Sequence, residues 1–251
     1  MNSLELPESA LATAKHVSRS DAYVFISTKD VVSFAEARGW RVVKSDQARI
    51  KKNNRLGFQK HIVIMEKDGA IGRDGKIQLC IRNSHDGSSG LQLFLGYMRI
   101  VCNNQLFAKN LGQGMDISIR HSKSGLRRLN EFLDGFDVAV SLFAEKIDKM
   151  VEKILTPDQV RVFTEKALGE RFKADVINDV VIENATISTR PEDDQNNLWN
   201  VMNRVQERLV SGNISIVNPV TKKMKKVRKL SSIDTLVALN SNLIELASSY
   251  L

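Results

Sequence analysis

Hydrophobic and polar positions follow two different periods along the 251-residue chain. From Phe58 onward, the stretches HIVIMEKDG, KIQLCIRNSHDGSSG, LQLFLGYMRIVCNNQ and MDISIRHSKSG alternate or run apolar, with Gly, Asn and Asp between them. This pattern predicts four antiparallel strands. The intervening Asp68-Gly69 to Asp74-Gly75, Asp86-Gly87 and Gly112 to Gly114 supply residues that tolerate positive φ, so a meander is the simplest topology. The third stretch, Leu91 to Cys102, is longer than the usual strand of about five or six residues, which predicts a curved strand bulged at Gly96.

Elsewhere the period is helical. Leu4 to His16 has apolar residues at loose helical spacing, fitting a short helix or an ordered arm. Ser27-Thr28-Lys29-Asp30 precedes Val31, Phe34 and Ala35, predicting a short helix that stops at Gly39. After Ser124, Leu129, Phe132, Leu133, Phe136, Val140, Phe143, Ile147 and Met150 recur at threes and fours and predict the clearest helix of the chain, ending near Ile154. Thr156-Pro157-Asp158 breaks it and starts a second helix that runs to Gly169. Further helical patterns cover Phe172 to Val181, Leu198 to Val210 before Ser211-Gly212, and Ser231 to Leu251. The fold class expected is α+β: one domain of residues 1–251, with an arm and helix over 1–40, a curved four-stranded antiparallel sheet over 41–124, and a helical part over 125–251 that packs the sheet.

Composition excludes several classes. With 42% hydrophobic residues and 4 prolines, the chain has material for a core and is not a disordered tail. The nearly apolar runs Val138 to Phe143 and Ile62 to Met65 are far shorter than the roughly 20 residues of a membrane-spanning helix. Glu5 and Glu8 stand where an export signal carries positive charge, and Cys80 and Cys102 lie in apolar alternating segments as ordinary free thiols, so the expected compartment is the cytoplasm.

Charge changes the picture further. The formal net charge is +8, and the excess is clustered. Arg41, Lys44, Arg49, Lys51, Lys52, Arg55 and Lys60 face a single acid, Asp46, within residues 41–60. Lys222, Lys223, Lys225, Lys226, Arg228 and Lys229 have no acid among them, in a basic segment over 219–229. Clustered Lys and Arg release counterions from a phosphate backbone, so a nucleic acid is the natural partner. Trp40, Phe58, Phe94 and Tyr97 are aromatic residues near the basic stretch or on the long strand, and Phe58 and Tyr97 are the candidates for stacking on unpaired bases. Trp199, on a helical stripe, reads as packing.

RNSHDGSSG, Arg82 to Gly90, is the conspicuous peptide. A catalytic reading makes His85 a general base or metal ligand beside Asp86, helped by Asp74 or Glu66. The competing reading is turn chemistry, in which Asp86 holds backbone amides and Gly87 takes positive φ, or a loop whose donors contact phosphate. His16, His61 and His121 have no partner at ligand spacing, no Cys-x-x-Cys occurs, and the glycines match neither a phosphate loop nor a dinucleotide fingerprint. No metal or cofactor is expected.

The stretch RNSHDGSSGLQLFLGYMRIVCNNQL resembles the central signature of a phage- and plasmid-borne family described only as a domain of unknown function and also found in prophages. NLWNVMNRVQERLVSGNI and RKLSSIDTLVALNSNLIELA are similar to that family's C-terminal half. The resemblance implies a mobile-element protein of the bacterial cytoplasm and carries over no catalytic residue. The matched positions are Asn83, Ser84, His85, Asp86, Gly87, Arg99, Cys102, Asn103 and Asn104. The order of sheet then helices is also similar, at the level of fold alone, to Whirly-type single-strand binders and phage annealing proteins. The function expected is therefore non-enzymatic binding of single-stranded DNA or RNA, with homo-oligomerisation compatible with strand coating. Arg41, Lys44, Arg49, Lys51, Lys52, Arg55, Lys60, Arg82 and Arg99 would form the surface, and Lys222 to Lys229 an arm over it. The alternatives are a metal-dependent nuclease centred on His85 and Asp86, and a protein-interaction or anti-defence factor.

Overall fold

The computed structural model describes residues 5–50, 53–101, 105–109, 115–122, 125–217 and 224–251. The chain divides into two compact units, Met1–Ala144 and Glu145–Leu251. In the first unit, α1 (Thr28–Glu36) precedes six strands: β1 (Trp40–Gln47), β2 (His61–Ile71), β3 (Gly75–Asn83), β4 (Leu91–Arg99), β5 (Gln105–Ala108) and β6 (Asp116–Ile119). They form an antiparallel sheet in the order β1-β2-β3-β4-β5, and β6 also pairs with β4. Since β3 occupies one edge of β4 from Gln92 to Arg99, β5 on Leu95 to Met98 and β6 on Leu91 to Phe94 share its other edge.

The expected four strands are thus six. β1 escapes the hydrophobic pattern because Arg41, Lys44 and Asp46 are exposed on alternating positions, and the register shift between Val42 and Lys44 breaks the period. The bulge belongs there and not at Gly96, where β3 and β4 pair without interruption. Glycine is needed at 96 for a different reason: a Cβ there would lie 2.7 Å from the Cys80 sulfur on the neighbouring strand.

Strand parity decides what each face carries. Trp40, Met65, Leu79, Leu95 and Tyr97 share one face, on which the first part of α2 (Gly125–Glu152) packs. Trp40 meets Phe136 at 5.4 Å and Tyr97 meets Phe143 at 6.3 Å, both edge-on, while Arg38 pairs with Asp134 and Lys67 with Asp137. On the opposite face, Ile64, Cys80 and Phe94 are also buried.

Of the short helix or ordered arm that the N-terminal pattern fits, the structure has an arm with a short 3-10 turn, Glu8–Ala10. It is held to β1 by the backbone N–H and hydroxyl of Ser9, which both donate to the Gln47 Oε1. The α1 helix starts where the Ser27 hydroxyl accepts from the Asp30 N–H.

The second unit contains α3 (Pro157–Gly169), α4 (Asp179–Thr186), α5 (Leu198–Ser211), the short hairpin β7 (Ser215–Val217) with β8 (Met224–Lys226), and α6 (Ile233–Ser248). A Thr156–Gln159 capping box opens α3, as the Thr-Pro-Asp break predicts. The pattern at Phe172 to Val181 instead gives a 3-10 turn, Ala174–Val176, and then α4, because Asn178 caps the later start. Gly212 ends α5 with φ of 77°, and Trp199 is buried as expected of packing. Within this unit Phe163 meets Tyr250 edge-on at 5.5 Å, and the buried Gln206 amide donates to the Asn240 side chain.

The close approach at Gly96 sets a stability test. Gly96→Ala is expected to lower stability by about 1–3 kcal/mol through overpacking, and the same change in a Cys80→Ala background to cost much less. Urea denaturation of the four proteins in that cycle checks it.

Candidate functional site

The end of the sheet where β2 begins and β3 ends gathers a buried polar cluster. His61 pairs in register with Asn83, and α1 brings Thr28 beside both. The Asn83 amide donates to the Ile26 carbonyl (3.1 Å) and the Thr28 hydroxyl (3.0 Å), and its Oδ1 accepts from the Ser84 N–H (2.9 Å). His121, just after β6, approaches the same Oδ1 with Nε2 at 3.0 Å. A carboxamide has two donors and two acceptor sites, and the use of both Asn83 donors and of one acceptor site fixes its orientation.

The Gln59 carbonyl and the Thr28 hydroxyl determine two of the three histidines. His61 Nδ1 donates to the Gln59 carbonyl (3.0 Å), which leaves Nε2 to accept from the Thr28 hydroxyl (2.8 Å). With that proton used, His85 Nε2–H donates to the Thr28 oxygen at 3.4 Å, and His85 Nδ1 is left buried without a partner. His121 faces two acceptors, Asn83 Oδ1 and the Val24 carbonyl (3.1 Å), and its neutral ring has one proton for the two. Burial pushes His61 down to about 4 and His85 down to about 3, the latter also opposed by the two neighbouring imidazoles. Burial lowers His121 as well, against the pull of its Val24 hydrogen bond.

The ring centroids of His61 and His85 are 5.3 Å apart, and those of His85 and His121 6.4 Å. Tyr23 stacks on His121 at 4.4 Å and donates to the Ser84 carbonyl, while Phe25 lies against His85 at 4.7 Å. Among the described residues, no group of His, Cys, Asp and Glu is arranged to hold a metal ion. Sequence spacing alone missed this gathering of histidines; the signal available was the pairing of the start of β2 with the end of β3.

The SHDGS loop is built as a turn. The Ser88 N–H and hydroxyl donate to Asp86 Oδ1, Ser84 and Ser89 bond reciprocally, and the His85 and Asp86 N–H groups both donate to the Phe58 carbonyl. Gly87 has φ of 76°, and a Cβ on it would strike the Arg19 guanidinium. Burial opposes charge on Asp86, but bonds from Ser88 and Ser84 and the Arg55 guanidinium at 3.6 Å outweigh it and hold its carboxyl below the usual range.

The cationic residues fall into distinct groups. Lys44 and Arg49 are exposed, Arg41 is exposed but paired with Asp68 (2.6 Å), and Arg55 is half-exposed beside Asp86. Lys60 and Arg82 are half-buried, with Arg82 donating to Gln92. Arg99 does not belong to an outer surface: its strand parity is that of Tyr97, it is 1% exposed, and its Nε donates to Asp74 Oδ2 at 2.6 Å. Tyr97 is likewise withdrawn from any stacking role, being wholly buried with its hydroxyl donating to Asp74 Oδ1. Burial raises its pKa, and Asp74 adds to the rise. Trp40 and Phe94 are core residues too, whereas Phe58 is half-buried against His16 at 5.2 Å. In the second unit Lys225, Lys226, Arg228 and Lys229 are exposed at and after β8. Lys51, Lys52, Cys102, Asn103, Asn104, Gly112 to Gly114, Lys222 and Lys223 lie outside the described residues.

Residues 15–240 match the model of a domain of unknown function, DUF932. Two proteins of Escherichia coli (strain K12), UPF0380 protein YafZ and UPF0380 protein YfjQ, are each 28% identical to this chain over 212 residues, spanning 82% of it and 75% of their own length. No solved structure matches.

The depressed imidazoles link stability to pH. The unfolded chain takes up protons below about pH 6.5 that folded His61 and His85 refuse, so stability present at neutral pH is lost as pH falls. The urea midpoint is expected to drop steadily between about pH 6.5 and pH 4, and to drop less in His61→Gln. A midpoint that is flat across that window would contradict the assignment.

Proposed function

Since the chain belongs to the DUF932 family, a domain of unknown function, its own surface must carry the reading, and we propose that it binds single-stranded nucleic acid, DNA or RNA, through phosphates and without catalysing a reaction. The observation behind this is the pair Lys44 and Arg49, exposed on and just after β1 with no carboxylate in salt-bridge reach among the described residues. Arg41 and Arg55, which flank them, keep about half of their side-chain surface exposed despite their pairings. Lys225, Lys226, Arg228 and Lys229 give the second unit a similar set of exposed cations. Such groups gain more from a polyanion than from solvent, because each phosphate contact releases a condensed counterion.

The sheet face offers bases no stacking surface. Tyr97 and Phe94 are buried, and the sheet centre is closed on both faces. A nuclease centred on His85 and Asp86 finds less support: His85 has no exposed surface, and its depressed pKa makes it a weak base for taking a proton from water. The turn bonds of Asp86 account for its charge without a metal.

Affinity for an oligothymidylate is expected to fall steeply with salt. Lys44→Gln and Arg49→Gln should each lower the slope of log affinity against log salt by about 0.7, with little change in base preference. Filter binding across a salt series checks this. Binding that is absent at low salt, or indifferent to salt, would overturn the proposal.

A further inference from the structure

Within the first unit a cavity of about 740 Å³ opens between the N-terminal arm, the start of α1 and α2. Phe25, Phe34, Leu11 and Leu129 give it an apolar lining, and Lys29, Asp30 and Asn130 add polar groups, one cation and one anion among them. Phe34 is 44% exposed and Leu11 47%, so the apolar surface is open at the rim. Its inner wall is stiff. Ile26 accepts from the filled Asn83 amide, Phe25 lies on His85, and Thr28 is held by His61 and Asn83. A preformed cavity of this size, mostly apolar with a few polar groups, is the ordinary form of a small-ligand site.

Two ties place it beside the exposed cations. The wall segment that includes Leu11 is bound at one end to the finish of β1, where Ser9 donates to Gln47, two residues before Arg49. At the other end His16 accepts from the Ser18 N–H at Nδ1, so its Nε2 carries the proton and donates to the Asn54 carbonyl at 2.6 Å, next to Arg55. The arm therefore runs from the cavity to the loop that bears Arg49 and Arg55.

From this adjacency we propose that the cavity receives an unpaired nucleobase from the strand whose phosphates lie on Arg49 and Arg55. The inference rests on the nucleic-acid reading given above. A base is flat, uncharged and edged with donors and acceptors. It matches the aromatic surface of Phe34 and Phe25 and the carboxamide of Asn130, while the cations take the backbone charge. Base–aromatic stacking of this kind tolerates any base.

The test compares an oligothymidylate with an abasic strand of the same length and charge, by fluorescence anisotropy at low salt. The chain is expected to bind the base-bearing strand roughly 5- to 100-fold more tightly. Phe34→Ala should close most of that gap and Phe34→Tyr should keep it, while charge reversal at Lys44 and Arg49 should weaken both strands alike. Equal affinity of the unaltered chain for the two strands overturns the base cavity and leaves phosphate binding standing, as does a gap that survives Phe34→Ala. Failure to bind either strand overturns both proposals.

Discussion

The side chain of Asn83 joins three segments that are distant in sequence, and the architecture of the first unit's polar end depends on it. Its amide holds the arm through Ile26 and the start of α1 through Thr28, and its oxygen holds the loop after β3 through Ser84 and meets His121 after β6. Each of these groups is removed from water, where an unpaired donor or acceptor costs about 1–3 kcal/mol. No other side chain offers two donors and two acceptors in one plane except glutamine, whose extra methylene would shift them. Thr28, held by the Asn83 amide, extends the network to two of the rings. One proton arrangement satisfies His61, Thr28 and His85, and it leaves His85 Nδ1 as the orphan of the cluster.

This buried centre does not look like a place for chemistry with solvent. Its consequence lies at one remove, in the backbone of residues 24–28, which it fixes and which lines the cavity beside α1. The same arm is anchored at Gln47 and Asn54, at the edges of the stretch that bears Arg49 and Arg55. One short run of chain thus joins a polar core, an apolar cavity and the segment that bears exposed cations. Preorganisation of that kind lowers the cost of ordering whatever ligand binds there.

Much of the fold was legible in the sequence, and the exceptions have physical causes. The helical stripe from Leu129 to Met150 and the capped start at Thr156 appear as read, because amphipathic period and capping are local properties. β1 was hidden since its alternate residues are charged and Val43 breaks its period, and β5 since it follows closely on the apolar run read as one long strand. Gly96 looked like a bend, but its constraint comes from the Cys80 sulfur on the next strand, which no local pattern contains. Arg99 and Tyr97 looked like surface candidates for the same reason. Parity sends both to the packed face, and Asp74 supplies the charge and acceptors that let them stay there. In the candidate site, the SHDGS peptide was visible as a turn, whereas the meeting of His61, His85 and His121 required the register of β2 on β3 and the return of the chain after β6.

The ring protons of His61 and His85 report most directly on this centre. Long-range proton–nitrogen correlation spectra recorded across a pH series should show His61 protonated at Nδ1 and His85 at Nε2, both neutral down to about pH 5. Either ring titrating near the ordinary value of about 6.5, or His61 carrying its proton on Nε2, would contradict the arrangement on which the arm and its cavity depend.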